Sequence, residues 1–120
     1  MVLAVRGAIQ VAKDSEASIA SASTRLVREI CRRNNLSEQD VVSIMFSVTE
    51  DLTSANPAAG LRREGFSETP LFCVQEARVD GAMPRVIRVL LTAERDADQG
   101  RRASHVYLDG AEVLRPDLGQ

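Results

Sequence analysis

The sequence predicts an α+β fold in which one long helix and one short helix pack against a sheet of about five strands. Apolar residues recur at helical spacing over residues 15–33, whereas separate segments elsewhere are rich in β-branched and aromatic side chains. The length of 120 residues is within the usual range for one domain. We therefore expect residues 1–120 to form a single domain.

The first strand and the long helix follow one another at the start of the chain. Residues 2–11 alternate loosely and are β-rich, and Gly7 in their middle indicates a bulge or a close backbone approach. Asp14 is expected to cap the helix over residues 15–33, which has an apolar face and a face rich in serine and arginine. The asparagine pair that follows suits its C-terminal cap.

The middle of the chain is predicted to contain a strand and a short helix. Residues 37–40 have the pattern of one capped turn that leads into a strand over residues 41–48. Asn56 and Pro57 are a cap and a first helical position for a short helix over residues 58–63. That helix is expected to stop at the glycine that follows it.

The remaining strands are predicted in the second half of the chain, at residues 71–77, 84–93 and 105–108, with a final short strand around 112–114. Residues 94–104 form a polar, charged loop that we expect to be mobile. One layer of helix leaves the other sheet face uncovered, so apolar residues there need a partner surface. Oligomerisation is therefore expected.

Composition and charge exclude several classes of protein. Arg88 interrupts the longest apolar run and the start of the chain lacks an export signal, so we expect a cytoplasmic protein without a membrane span. Cys31 and Cys73, with a single histidine elsewhere, provide neither a disulfide framework nor a metal site. The net charge of -2 and the four phenylalanine and tyrosine side chains offer little to nucleic acid.

Several polar residues interrupt the apolar strands and are therefore candidate functional residues. Arg6 and Arg88 fit either a solvent-facing position or a structural ion pair with Glu76, whereas Tyr107 fits either the core or a pocket. Cys73 fits a small buried hydrophobic residue. Fourteen of the fifteen basic residues are arginine, which weakens each arginine as a functional signal. Taken alone, these residues indicate only a pocket for an anionic small molecule.

Six short motifs occur in a fixed order along the chain. They are Arg6-Gly7-Ala8, Thr49-Glu50-Asp51-Leu52, Cys73-Val74-Gln75-Glu76, Pro84-Arg85-Val86-Ile87-Arg88-Val89, His105-Val106-Tyr107-Leu108 and Leu114-Arg115-Pro116-Asp117-Leu118. Together they resemble the monofunctional chorismate mutases of the trimeric pseudo-α/β-barrel class, over essentially the whole chain. The resemblance implies a mixed five-stranded sheet, a homotrimer whose sheets surround a central axis, and active sites between subunits.

The resemblance also implies an activity, the Claisen rearrangement of chorismate to prephenate in aromatic amino acid biosynthesis, without metal or cofactor. It assigns as catalytic the residues Arg6, Cys73, Glu76, Arg88 and Tyr107. It assigns to substrate binding the residues Asn56, Ala58, Arg62, Leu71, Phe72, Leu114 and Arg115. Some of the second group would come from the adjoining chain or close over the opening.

Each implied catalytic residue has an expected role. Arg88 would stabilise the negative charge that develops on the ether oxygen. Arg6 would hold a substrate carboxylate, and Tyr107 would donate to the same carboxylate. Glu76 would accept a hydrogen bond from the ring hydroxyl, with Cys73 beside it.

Asn56 departs from the family pattern, because related enzymes carry at this position a phenylalanine that packs against the substrate. Ala59 likewise stands where some relatives have a lysine. The first departure leaves open a second function, that of a catalytically weak or inactive trimeric protein that binds an anionic cyclic metabolite. An enzyme of another class acting on a related cyclic dicarboxylate is a third possibility, although the sequence offers it neither a nucleophile nor a metal site.

Overall fold

The chain folds into five strands and two α-helices in a computed structural model that describes residues 1–96 and 102–118. These elements are β1 (Val2–Gln10), α1 (Glu16–Arg33), β2 (Val41–Val48), α2 (Pro57–Arg63), β3 (Leu71–Gln75), β4 (Val86–Glu94) and β5 (Val106–Leu108). Short 3₁₀ helices occur at Glu38–Asp40, Ala111–Leu114 and Pro116–Leu118. None of the helices in the described ranges is long and apolar enough to cross a membrane.

The strands form one mixed sheet in the order β3-β2-β4-β1-β5. Strand β4 pairs antiparallel with β1 and β2, whereas the edge strands β3 and β5 pair parallel with β2 and β1, respectively. Because neighbouring strands lie about 4.8 Å apart, β3 and β5 are separated by about 19 Å. Residues carried by these two strands therefore lie at opposite edges of the sheet.

The long helix α1 covers one face of the sheet, and its apolar stripe is buried against the strands. The buried residues of this helix are Ile19, Ala22, Ser23, Leu26, Val27 and Ile30. Gly7 of β1 lies beneath them, and a Cβ atom there would come within 2.8 Å of Ile30 Cδ1 and 3.0 Å of the Val106 carbonyl oxygen. The predicted helix and the close backbone approach at Gly7 are both confirmed, and β1 pairs with β4 in unbroken register.

The helix caps agree with the predictions except at one position. The Asn56 side chain caps α2 as predicted. Asp14 does not cap α1: Ser15 adopts an extended conformation at the N-cap, and its hydroxyl oxygen accepts a backbone N–H three residues on at 3.1 Å. The Asp14 carboxylate instead accepts the backbone N–H groups of Thr53 and Ser54, each at 3.0 Å, and so ties a loop to the start of the helix.

The prediction of a final short strand around residues 112–114 is wrong. Residues 112–114 belong to the 3₁₀ helix Ala111–Leu114, which begins after Gly110 with φ of 99°. The Gly110 N–H donates to Glu112 Oε1 at 2.7 Å, so a local turn satisfies this backbone without a neighbouring strand. The boundaries of the other strands differ from the predicted ones by at most two residues. The loop predicted to be mobile at 94–104 includes residues 97–101, which lie outside the described residues.

The second face of the sheet has no helix over it within the described residues, as the sequence predicted. Phe72 on β3 pairs with Met45 on β2, which pairs in turn with Leu90 on β4. These three side chains are exposed by 62%, 48% and 44%, respectively. An apolar row therefore crosses the face that lacks a cover.

Candidate active site

A second row on the uncovered face contains two of the candidate residues, Arg88 and Tyr107, and a third, Glu76, lies close to it. Arg88 on β4 lies between Ser47 on β2 and Ala8 on β1, and Ala8 pairs with Tyr107 on β5. Glu76 comes directly after β3, and its backbone N–H continues the ladder with β2. Because paired residues point to the same face, the register brings Arg88 and Tyr107 onto one line across the sheet. Glu76 lies on the same face, two residues beyond Val74, which is the β3 partner of Ser47.

Arg88 and Glu76 form an ion pair in which one end of the guanidinium is held. Arg88 Nε donates to Glu76 Oε1 at 2.6 Å, and the Ser47 hydroxyl donates to the same oxygen at 3.0 Å. The two charged side chains are 39% and 23% exposed, so solvent screens the pair in part. Arg88 Nη1 and Nη2 make no hydrogen bond to a residue that the structure describes. These two terminal donors remain available to a ligand.

Arg6 lies in the neighbouring row and has no side-chain partner among the described residues. It pairs with Leu90 on β4, and its guanidinium is exposed. Arg6 and Arg88 are diagonal neighbours on adjacent strands, a relation in which Cα atoms are roughly 7–8 Å apart. Two guanidinium groups therefore lie on the same open surface, which suits a ligand with more than one anionic group.

Tyr107 is buried by the C-terminal segment of its own chain. The residue is 3% exposed and packs against Ala8 and Ala111, with Leu114 partly buried at the edge of this cluster. The tyrosine hydroxyl makes no hydrogen bond to a described residue. The structure thus places Leu114 in the same small apolar cluster as Tyr107.

Charged residues of both signs in the C-terminal segment lie near Arg6. The guanidinium of Arg115 binds Asp117 through two hydrogen bonds of 2.8 and 3.1 Å, which raises the pKa of the arginine and lowers that of the aspartate. Burial, followed by the charges of Arg6 and Arg115, lowers the pKa of His105 below its ordinary value of 6.5. The imidazole beside Arg6 is therefore neutral at pH 7.

Three candidate residues lie at the other edge of the sheet, on β3. Phe72 is on the uncovered face, whereas Leu71 and Cys73 point to the helix side and pack against the main core. Burial raises the pKa of the Cys73 thiol, so the sulfur stays protonated at neutral pH. The resemblance implies that Cys73 lies beside Glu76, but in one chain the thiol points to the helix side, whereas Glu76 pairs with Arg88 on the uncovered face.

The candidates on α2 lie in the helical layer near β3. The Asn56 amide oxygen accepts the Ala58 N–H at 2.9 Å, and Ala58 is buried. Arg62 is exposed and makes no hydrogen bond to a residue in the described ranges. One chain therefore carries one group of candidate residues on β3 and α2 and another on β4, β1 and β5, and Glu76 contacts the second group through Arg88.

Two surface grooves in the described part of the chain lie near these residues, but neither is lined by Arg6, Arg88 or Tyr107. A groove of about 220 Å³ next to Glu76 is lined by the loop after β3, and a larger one of about 600 Å³ lies between α1 and α2, away from Arg6 and Arg88. A small-molecule site normally buries most of its ligand, so the open face needs a second surface to form a pocket. Across the described residues, no group of histidine, cysteine and acidic side chains could hold a metal ion.

The fold and the order of these residues match a known family. The model of the family described as chorismate mutase type I matches residues 2–118. The chain belongs to the chorismate mutase type I family. This confirms the resemblance drawn from the six sequence motifs, and it covers both groups of candidate residues.

Individual members of the chorismate mutase family are similar to this chain over nearly its full length. Chorismate mutase AroH of Thermus thermophilus is 43% identical over 119 residues, which cover 98% of this chain and 97% of that protein. Chorismate mutase AroH of Bacillus subtilis is 37% identical over 119 residues, covering 98% and 93%. The solved structure of a chorismate mutase from Clostridium thermocellum has a TM-score of 0.87 at 39% identity and covers 92% of this chain and 98% of that chain.

Two residues of this chorismate mutase family member were given no role from the sequence. Ser47 contacts Glu76 only because β2 and β3 pair in one register, and the sequence does not specify that register. His105 accepts the Arg6 backbone N–H through its Nδ1 atom. The signal that could have drawn attention to it was its uniqueness, since it is the only histidine in the chain.

Proposed function

We propose that this protein is a chorismate mutase that converts chorismate to prephenate in aromatic amino acid biosynthesis. The observation that carries the proposal is the pair of arginines on one open face, Arg6 without a side-chain partner and Arg88 with both terminal nitrogens available, in a chain of this family. Chorismate carries two carboxylates. Its rearrangement breaks the ether C–O bond as a C–C bond forms, and it needs no nucleophile.

Arg88 stabilises the transition state in this proposal. Negative charge builds on the ether oxygen as the C–O bond breaks, so a cation fixed near that atom binds the transition state more tightly than the ground state. The contacts of Glu76 and Ser47 hold the Nε end in place, and the terminal nitrogens donate to the substrate. An arginine can reach two oxygens at once, which a lysine cannot reproduce.

Arg6 and Tyr107 bind a substrate carboxylate. Arg6 has an exposed guanidinium, and the Tyr107 hydroxyl, two strands from Arg88, has no other partner among the described residues. A bidentate contact from the guanidinium orients the carboxylate and favours the compact conformer of chorismate. Leu114 and Arg115 close the site from the C-terminal side, with Arg115 adding positive charge.

We further propose that the active protein is a homotrimer in which each site lies between two subunits. Arg6, Arg88 and Tyr107 come from one chain, whereas the neighbouring chain supplies the edge formed by β3 and α2. That edge contributes Asn56, Ala58, Arg62, Leu71, Phe72 and Cys73. Support comes from the separation of about 19 Å between β3 and β5 in one chain and from the apolar row left uncovered.

The proposal includes a single domain over residues 1–120 that acts in the cytoplasm. A family match over residues 2–118 supports one domain. Cys31 and Cys73 are both free, as is usual for proteins of a reducing compartment.

Asn56 favours a second candidate function, that of a trimeric protein that binds an anionic cyclic metabolite with weak or no catalysis. Its side chain is engaged as the cap of α2, where the resemblance implies a phenylalanine against the substrate. An amide does not supply the apolar wall that would hold the substrate ring. The binding role needs only the arginines, whereas the rearrangement also needs a tightly packed substrate.

A chorismate assay distinguishes the two candidates. Purified protein without added metal or cofactor is expected to accelerate the loss of chorismate by about 10⁶-fold or more, with prephenate as the product. A bicyclic dicarboxylate that mimics the chair-like transition state should abolish the reaction. Binding of the mimic without turnover would support the second candidate, and absence of both would contradict the proposed site altogether.

A further inference from the structure

His105 stands at the point where β5 joins the sheet, directly beside Arg6. The parallel pairing of β1 and β5 begins with Gly7 and Val106. One residue earlier, the Arg6 backbone N–H donates to His105 Nδ1 at 2.9 Å instead of to a carbonyl group. The imidazole therefore extends the hydrogen-bonded ladder by one position, at the residue that carries an unpaired guanidinium.

The position of the imidazole is fixed by rigid neighbours on both sides. The Ser104 N–H donates to Asn34 Oδ1 at 2.7 Å, and Asn34 Nδ2 donates to the Ser104 carbonyl at 2.9 Å. Asn34 is buried at the end of α1, and Val106 is fully buried in the main core. Because the backbone on each side of His105 is held, the ring has a defined place against β1.

The hydrogen bond requires one protonation state of the ring. Nδ1 accepts an N–H, so it carries no proton, and the single proton of the neutral imidazole lies on Nε2. A protonated ring would present an N–H to the Arg6 N–H, which removes the acceptor. It would also add a cation beside Arg6 of β1 and Arg115 of the C-terminal segment, the two charged groups that act on it. Asp117 is already bound to Arg115.

We propose that His105 is a positioning residue for Arg6: the neutral imidazole holds the Arg6 backbone in place, and protonation of the ring releases it and weakens binding of the substrate carboxylate. This inference rests on the proposed function, in which the Arg6 side chain binds that carboxylate. His105 acts through Arg6 and does not touch the reacting atoms. No other side chain of the described residues accepts the Arg6 N–H.

The direction of the pH dependence follows from the environment of the ring. Burial first, and then the charges of Arg6 and Arg115, place the pKa of His105 below 6.5 in the folded protein. The hydrogen bond is therefore present at neutral pH and above, and it is lost as the pH falls through the lowered pKa of the ring. Loss of one neutral hydrogen bond is expected to raise KM for chorismate about threefold to tenfold.

The protonation state can be measured without any assay of activity. His105 is the only histidine, so a ¹H–¹⁵N spectrum of the full ¹⁵N-labelled chain contains one set of imidazole signals. We expect the neutral Nε2–H form at pH 7 and a pKa below 6.5. A proton on Nδ1, or a pKa at or above the ordinary value, would overturn the proposal even if the protein turned chorismate over.

Two substitutions of nearly identical shape test the role in binding. His105→Asn keeps an acceptor near the Nδ1 position but does not titrate, whereas His105→Leu has the same shape as the asparagine without an acceptor. Between about pH 5 and about pH 8, the histidine range, KM of the wild type should rise on acidification. His105→Asn should restore a KM near the neutral-pH value at every pH, and His105→Leu should give the raised KM throughout.

The inference has two further outcomes that contradict it. If acidification lowers KM, the imidazolium attracts the substrate and does not release Arg6. If His105→Leu raises KM as strongly in an Arg6→Ala background as in the wild type, His105 does not act through Arg6. Should the wild type lack turnover, the proposed function fails on its own, and the same variants are then compared by binding of the bicyclic dicarboxylate.

Discussion

At the scale of single residues, Arg88 combines a fixed end with an available end. Its Nε atom is 2.6 Å from Glu76 Oε1, an oxygen that also accepts the Ser47 hydroxyl at 3.0 Å. A guanidinium that is already oriented does not have to reorganise as charge develops on the substrate. In the proposed mechanism, the ion pair of Arg88 with Glu76 therefore also orients the guanidinium for catalysis.

Arg88→Ala is expected to lower kcat by at least about 10²-fold, by comparison with the loss of one oxyanion donor. Arg88→Lys should recover little of the loss because a lysine lacks the Nε contact with Glu76. Steady-state kinetics of the assembled protein measure kcat for both variants. Arg32→Ala, on the exposed face of α1, is the matched control, and near-normal turnover of Arg88→Ala would remove this residue from the proposed role.

Arg6→Ala should raise KM and also lower kcat, because the same carboxylate contact binds the substrate and selects its reactive conformer. The side chain is exposed and has no partner among the described residues, so its removal should leave the melting temperature almost unchanged. Kinetics and thermal unfolding are measured on the same preparation. An unchanged KM would argue against a carboxylate contact.

The sequence indicated several site residues, but not how they meet. Arg6, Glu76, Arg88 and Tyr107 could be recognised because polar side chains interrupt apolar strands. Which of them are neighbours depends on strand order and register, and these follow from packing of the whole sheet. For this reason, the pairing of Glu76 with Arg88 rather than with Arg6 could not be deduced from the pattern.

At the scale of secondary-structure elements, Gly7 sets the distance between β1 and α1. Any side chain there would meet Ile30 of the helix and the Val106 carbonyl of β5. Gly7 also lies between Arg6 and Ala8 in the strand that carries both rows of the site. Packing of the helix and alignment of the site residues therefore depend on the same position.

Gly7→Ala is expected to destabilise the protein by about 1–3 kcal/mol, the usual cost of overpacking. Chemical denaturation of the wild type and the variant measures the difference. Ile30→Val removes the Cδ1 atom that the new methyl group would approach at 2.8 Å, so it should relieve part of the cost in the double variant. Strictly additive effects of the two substitutions would contradict the proposed clash.

Most elements were predictable because their signals are local. Asn56 followed by a proline marked α2, and the apolar stripe marked α1. Asp14 was assigned as a cap one residue too early, since an adjacent serine supplied an equally good cap. The prediction of the final strand was wrong because Gly110 and Glu112 close a local turn, and β-propensity does not reveal this contact.

At the scale of the whole molecule, the uncovered face is the surface on which the proposed site and the proposed assembly both depend. An apolar row of Phe72, Met45 and Leu90 runs beside the polar row that contains Arg88. The need for a partner surface could be predicted from one helical layer over a sheet. The number of subunits could not be predicted in this way, because it depends on the angle at which the faces of two chains meet. The expectation of three subunits came from the family resemblance.

Leu90→Asp is expected to prevent assembly, since it places a charge in the centre of the surface proposed to pack against neighbouring chains. Analytical ultracentrifugation should show monomers, and chorismate mutase activity should be lost with the trimer. Val79→Asp changes an equally apolar exposed residue in the loop between β3 and β4 and is the matched control. A Leu90→Asp protein that remained trimeric would place the interface elsewhere.

The order β3-β2-β4-β1-β5 has a consequence for inheritance of defects. If a site takes Arg6 from one chain and Arg62 from the next, two alleles that each lack one of these arginines encode proteins that are inactive alone. If both variant chains are made in one cell, they would form hybrid assemblies. Some interfaces in these assemblies would combine Arg6 from one variant chain with Arg62 from the other. Two damaged genes could then complement each other and together support growth.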